Sequence, residues 1–175
     1  MCQCERKITL FKWCKIAGNQ FLGFWALGIL LFLLQELPYM VMPLFHLKTN
    51  PIMNMQESSA FLNICEKALG SLCIAVMMFI VQKDMILFDL GSGSQKFGFV
   101  AALSVLVFNF FGWGLYFSGH QSAKIILIFL VVMPPLYYTF IGLWRRNWVL
   151  LFIGSLFTVV HFTHVYGNLK IGNMG

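Results

Sequence analysis

Five long apolar stretches, each close to the ~20 residues that span a bilayer core, constrain this chain more than any other feature. They run about Phe21 to Phe45, Ala60 to Gln82, Phe97 to Phe117, Ile125 to Trp144 and Trp148 to Gly167. The second has a competing frame, Ala68 to Phe88, but that frame buries Lys83 and Asp84 in hydrocarbon. Composition agrees: 59% of the 175 residues are hydrophobic and only 10% are charged, against about a quarter charged in soluble domains. A soluble core of this size cannot bury so much apolar surface. The expectation is an all-α membrane protein, a single bundle of about five transmembrane helices. The bundle occupies residues 21–175, behind a cytoplasmic amphipathic segment at residues 1–20.

In that segment Arg6, Lys7, Lys12 and Lys15 alternate with Leu10, Phe11 and Trp13, as in an interfacial anchor. The first apolar run is too long for a cleavable signal peptide, and no small-x-small site follows it. No stretch alternates in polarity as a transmembrane barrel strand does. No internal repeat supports an inverted-repeat transporter plan. The five cysteines (Cys2, Cys4, Cys14, Cys65, Cys73) form no disulfide framework. They read as ordinary free thiols, the juxtamembrane ones being open to acylation in a suitable host.

The net charge of +6 forms no basic stripe, so nucleic acid is not an expected partner. The charges act instead as topology signals and contacts to anionic membrane lipids. Arg6, Lys7, Lys12, Lys15, Lys83, Lys96, Arg145 and Arg146 fall on one side, and Lys48, Lys67, Lys124 and Lys170 on the other. The positive-inside rule then places the N-terminus in the cytoplasm and the C-terminus outside, in a multi-pass protein of the plasma or cytoplasmic membrane. Trp144-Arg145-Arg146-Asn147-Trp148 marks an interface. Gly91-Ser92-Gly93-Ser94 reads as a flexible turn, and His46–Ser59 is the longest connection.

Polar side chains inside the spans carry the functional expectation, because an ionisable group at the centre costs roughly 2.5–3.5 kcal/mol on insertion scales. A rise of ~1.5 Å per residue places Glu36 roughly 5 Å, Glu66 roughly 8 Å, Trp113 roughly 9 Å and His161 roughly 5 Å to the outer side of their span centres. Asn109, Trp113 and Tyr116 share one helix face, as do His161, His164 and Asn168, and Gln35, Tyr39 and Met42. Gly112 and Gly114 flank Trp113 and permit close helix approach or leave room for a ligand. Pro134-Pro135 should kink the fourth span and free carbonyls toward a cavity or a neighbouring helix. The expected ligand-binding site is therefore an outer-half pocket lined by Glu36, Glu66, Asn109, Trp113, Tyr116, Tyr137, His161 and His164.

Each of these residues also has a plainer role. Glu36 and Asn109 can serve as interhelical hydrogen-bond glue, Glu66 beside Lys67 as a snorkelling interfacial group, and Trp113 and Tyr116 as belt aromatics. His161-x-x-His164 has too weak a spacing to assign a metal, and no partner histidine at matching depth suits haem. No metal or other cofactor is expected. A His–Glu proton relay is a further reading of the same residues. There is no nucleophile elbow, P-loop or dinucleotide fingerprint. In helix count and aromatic, acid-lined interior the chain is similar to five-helix membrane proteins of the translocator-protein and emopamil-binding-protein types. That likeness is one of architecture and assigns no residue a role.

Three functions fit. The first is binding of a small apolar or lipid-like ligand, receptor-like or as part of a transport pathway. The second is an intramembrane enzyme acting on a lipid-like substrate, with Glu36 or Glu66 as acid and His161 as base. The third is an assembly or scaffold subunit whose polar residues are glue. A transport role in a chain this short implies a homo-oligomer.

Overall fold

The apolar stretches form five helices long and apolar enough to cross a bilayer in a computed structural model that describes residues 11–82 and 88–172. Cys2, Cys4, Arg6, Lys7, Leu10, Lys83 and Asp84 lie outside the described residues. The helices are α1 (Ala26–Val41, extended by a 3-10 turn Met42–Phe45), α2 (Ala60–Phe79), α3 (Gly93–Phe117), α4 (Ala123–Trp144) and α5 (Trp148–Gly172). The fold is the expected all-α bundle, and α2 follows the frame that starts at Ala60.

Helix α4 is the central element, packed between α3 and α5, with α2 against α5. Small residues set these crossings. A Cβ on Gly98 would meet the Trp144 backbone, one on Gly112 would overlap Phe129, and one on Gly142 would meet the Leu151 backbone. Only a missing side chain permits such backbone approach, which is how helices associate without a hydrophobic drive from water. Helix α1 is held to α4 by hydrogen bonds: Tyr137 Oη donates to Leu31 O (3.3 Å) and Tyr138 Oη to Gln35 Oε1 (3.1 Å). The opposite side of α1 is open, with Leu30 60% and Met40 62% exposed. That is the expected appearance of a lipid-facing surface, not a packing defect.

Two helix details follow from local chemistry. Ser92 and Gln95 form a reciprocal capping box, so the glycine-serine stretch expected to be a flexible turn is an ordered start to α3. In α4, residues Ile126–Val132 are wound as a π-helix directly before Pro134-Pro135. In that wider register the carbonyl that Pro134 would have served is Phe129's. Asn109 Nδ2 donates to Phe129 O instead, at 2.8 Å. The freed carbonyl thus faces a neighbouring helix.

The first span differs from expectation at its start. It begins at Ala26, not Phe21, because residues 11–24 form a hairpin of β1 (Phe11–Ala17) and β2 (Gln20–Phe24). Gly18 (φ +51°) and Asn19 make the two-residue turn between the paired residues Ala17 and Gln20. A third strand, β3 (Ile80–Gln82), continues from α2 and pairs with β2, giving the antiparallel order β1-β2-β3. The backbone groups that leave the helices are thereby satisfied by a small sheet. The Arg146 carbonyl anchors this sheet, accepting from Gln20 Nε2 (2.9 Å) and Gln82 Nε2 (2.6 Å). Trp25 N donates to Met78 O at 2.8 Å, tying the start of α1 to the end of α2.

The opposite end carries the loop from His46 to Ser59. This loop is bolted to its own bundle: Tyr116 Oη donates to Asn50 Oδ1 (2.7 Å), Thr49 Oγ1 to Gln121 Oε1 (2.6 Å), and Ser58 N to Asn168 Oδ1 (2.8 Å).

Candidate functional site

Glu66 lies near the loop end of α2, where the side of α2 that packs on α5 meets His161 and His164. The two histidines are almost one turn apart, so both rings reach the same carboxylate. His164 Nδ1 is hydrogen-bonded to Glu66 Oε2. His161 Nδ1 is 3.2 Å from Glu66 Oε1, an ion-pair distance without hydrogen-bond alignment. The His164 side chain is 6% exposed, His161 14% and Glu66 22%, so the carboxylate is the most accessible member of the three. Asn168, one turn beyond His164, places Nδ2 3.3 Å from His164 Nε2 and accepts from Ser58 N through Oδ1. The result is a continuous polar chain from the loop backbone to Glu66.

The other expected site residues divide into separate groups. Trp113 and Tyr116 are fully buried, not belt residues facing lipid. Trp113 packs edge-on against Tyr39 at 4.6 Å between ring centroids, and its Nε1 has no hydrogen-bond partner among the described residues. Tyr116 is occupied by the loop, donating to Asn50 and accepting from Ile52 N at 3.3 Å. Asn109 is taken up by the π-helix carbonyl and Tyr137 by Leu31 O. Glu36 is half-buried on α1 and makes no hydrogen bond or ion pair among the described residues. The hydroxyl of Tyr39 lies within electrostatic range of both Glu36 and Glu66. The structure therefore joins Glu66, His161 and His164 directly, leaves Glu36 and Trp113 without a hydrogen bond or ion pair to them among the described residues, and assigns Asn109, Tyr116 and Tyr137 to holding the bundle and its loop.

Among the described residues, no group of three His, Cys, Asp or Glu side chains has a geometry able to hold a metal ion. Both histidines turn Nδ1 toward one carboxylate, and the outer nitrogen of His164 is already engaged, so the imidazoles do not converge on a common empty point.

Asn168 and Ser58 were not among the expected site residues. Asn168 shares a face with His161 and His164, and that spacing was the available signal. Nothing in the loop sequence marks Ser58, whose contribution is a backbone N–H.

A second polar centre lies at the sheet end. Arg145 stacks over Trp25 (4.1 Å to the ring centroid) and lies 5.5 Å from the Trp144 centroid. Burial pushes its guanidinium down to about 9, opposed by the nearby Asp89 charge, and it stays a cation at neutral pH. The Gln95 side chain and the Gly91 N–H (3.0 Å) hold the Asp89 carboxyl below the usual carboxylate range. Asp89 O accepts from Trp144 Nε1 at 3.0 Å. These contacts brace the end of α4.

Comparison of the chain with protein-family models, curated proteins and solved structures gives no match. The likeness to the translocator-protein and emopamil-binding-protein types therefore ends at helix number and general character.

Proposed function

We propose that this chain is a five-pass integral membrane protein, with its N-terminus in the cytoplasm and its C-terminus outside, that binds a small apolar or lipid-like ligand in the outer half of the bilayer. The ligand's polar head lies against Glu66 and His161, between α2 and α5, and its apolar body lies toward α1. The observation that carries this reading is the Glu66–His161–His164 cluster. A carboxylate in a span is costly, and interhelical glue would require only one partner for it. Here two imidazoles converge on it, while the carboxylate and His161 stay partly accessible. On the same reading Glu36 and Trp113 offer the ligand a carboxylate and an indole N–H that no described residue engages, with Trp113 packed on Tyr39 of α1.

The test is photolabelling of the protein in lipid nanodiscs with a hexadecanol carrying a mid-chain diazirine. Labelling is expected on peptides of α1, α2 and α5 near Glu66, competed by unlabelled alcohol, and reduced at least ten-fold in Glu66→Ala. Uniform labelling of all lipid-facing surfaces, unchanged in Glu66→Ala, overturns the reading.

A second reading, an intramembrane enzyme, draws on the 3.2 Å approach of His161 to Glu66, close enough for an acid and a base to share one substrate position. A third, an assembly subunit, draws on Asn109, Tyr116 and Tyr137, whose polar atoms are spent inside the bundle.

A further inference from the structure

The hydrogen-bond chain around Glu66 determines where its protons can sit. The Ser58 backbone N–H can only donate, so the Asn168 atom 2.8 Å from it is the amide oxygen. The other end of that amide, Nδ2, can only donate, and it lies 3.3 Å from His164 Nε2. His164 Nε2 is therefore an accepting lone pair. A neutral imidazole with an accepting Nε2 carries its proton on Nδ1, and that N–H meets Glu66 Oε2. A second proton on His164 would set N–H against N–H. His161 is under no such constraint: its Nδ1 faces Glu66 Oε1, and its Nε2 has no hydrogen-bond partner among the described residues.

Without an added proton the cluster is a carboxylate with two neutral imidazoles, a net charge of −1. A low-dielectric setting penalises that charge, and one bound proton removes it. The proton makes His161 an imidazolium paired with the Glu66 carboxylate at 3.2 Å, and this places an N–H at His161 Nε2. We infer that Glu66 and His161 form a one-proton binding site that exchanges through His161 Nε2, with His164 a permanently neutral positioning residue pinned by Asn168 and the Ser58 backbone. This deepens the ligand reading, on which it rests for its biological use, because the proton decides whether His161 offers the ligand a donor or an acceptor.

The surrounding titratable and charged groups leave this assignment intact. From α1, Tyr39 lies within range of Glu66, and Glu36 within range of Tyr39. On α2, Cys65 and Lys67 flank Glu66 in sequence, with Lys67 exposed. In the loop, Glu57 Oε2 accepts from Asn63 Nδ2 at 2.9 Å. From α3 and α4, the hydroxyls of Tyr116, Tyr137 and Tyr138 are donated to Asn50, Leu31 and Gln35. On α5, Lys170 is exposed beyond Asn168. Among the described residues, Glu66 makes its only ion pairs with the two histidines.

The test is long-range 1H–15N NMR of the full chain with 15N-labelled histidine in nanodiscs, swept across pH ~5 to 8, the window in which imidazoles ordinarily exchange protons. Signals are assigned with single His→Gln variants. The expected result is that His161 Nε2 changes from lone-pair to N–H character as pH falls, while His164 keeps a lone pair at Nε2 and a proton at Nδ1 throughout. Glu66→Gln removes the change at His161 Nε2 from that window. Asn168→Asp turns the group facing His164 Nε2 into an acceptor and makes His164 take a second proton. A His164 that gains an N–H at Nε2 in the wild type, or a change at His161 Nε2 that persists in Glu66→Gln, overturns the proposal. Lost photolabelling with this titration intact overturns the ligand reading alone. Intact photolabelling with no change at Nε2 overturns the proton site alone.

Discussion

Asn109→Ala should lower the stability of the bundle, and Pro134→Ala should abolish that effect. The Asn109 side chain is 1% exposed and donates to Phe129 O at 2.8 Å, the carbonyl that Pro134 leaves without a donor in the π-helical register. Interhelical hydrogen bonds in membranes average about 0.6 and reach about 1.7 kcal/mol. A buried carbonyl left unsatisfied costs about 1–3 kcal/mol. Asn109 Oδ1 is itself buried without a partner, so removing the side chain recovers part of that cost. The balance is a loss of about 1–2 kcal/mol for Asn109→Ala. In Pro134→Ala, residue 134 regains an N–H for Phe129 O, and the same substitution should then cost close to nothing. The coupling energy is therefore about 1–2 kcal/mol. Reversible unfolding of the four proteins in mixed micelles, followed by tryptophan fluorescence, measures it. Costs that agree within about 0.3 kcal/mol in the two backgrounds would refute the idea that Asn109 serves the carbonyl orphaned by the proline.

Other expectations follow from single contacts. Gly98→Ala should destabilise by about 1–3 kcal/mol through overpacking, since the new Cβ would lie 2.5 Å from Trp144 N. Gly114→Ala should be neutral or stabilising, because nothing lies within 4 Å of its Cβ position; equal thermal-shift losses for the two would contradict the packing account. Tyr116→Phe removes the hydroxyl that holds Asn50 and should speed proteolytic cleavage within residues 46–59 without unfolding the helices, as read by limited proteolysis and circular dichroism. Asp89 has its pKa depressed in the fold, so its contribution is present above the ordinary aspartate value and is lost as pH falls through the lower folded value. The acid limb of the stability profile should flatten in Asp89→Asn, and an unchanged limb would remove Asp89 from it. Glu36→Ala should weaken photolabelling while the bundle still folds; unchanged labelling removes Glu36 from the site.

The helices were legible because length and apolar content decide them, and α3, α4 and α5 begin or end within a few residues of the expected positions. The sheet was not legible. Phe21, Leu22 and Phe24 merge by hydropathy with the first span, and Ile80 and Val81 with the second, so a strand register that depends on distant pairing was invisible. The Ser92-x-x-Gln95 spacing was a readable helix start, and the neighbouring glycines masked it. Within the site, the shared depth of Glu66 and His161 was readable from residue counting, and the structure pairs them. Depth carries no azimuth, however. Asn109, Tyr116 and Tyr137 were expected beside them, whereas each faces a different neighbour.

The most direct test of the central claim is a structure of the protein in a lipid nanodisc that resolves density between α1, α2 and α5 at the level of Glu66. The account predicts an elongated density whose polar end meets Glu66 and His161 Nε2. Apolar side chains or an α1 backbone packed directly against these two residues, with no room for a ligand, would contradict it and leave the cluster as internal glue.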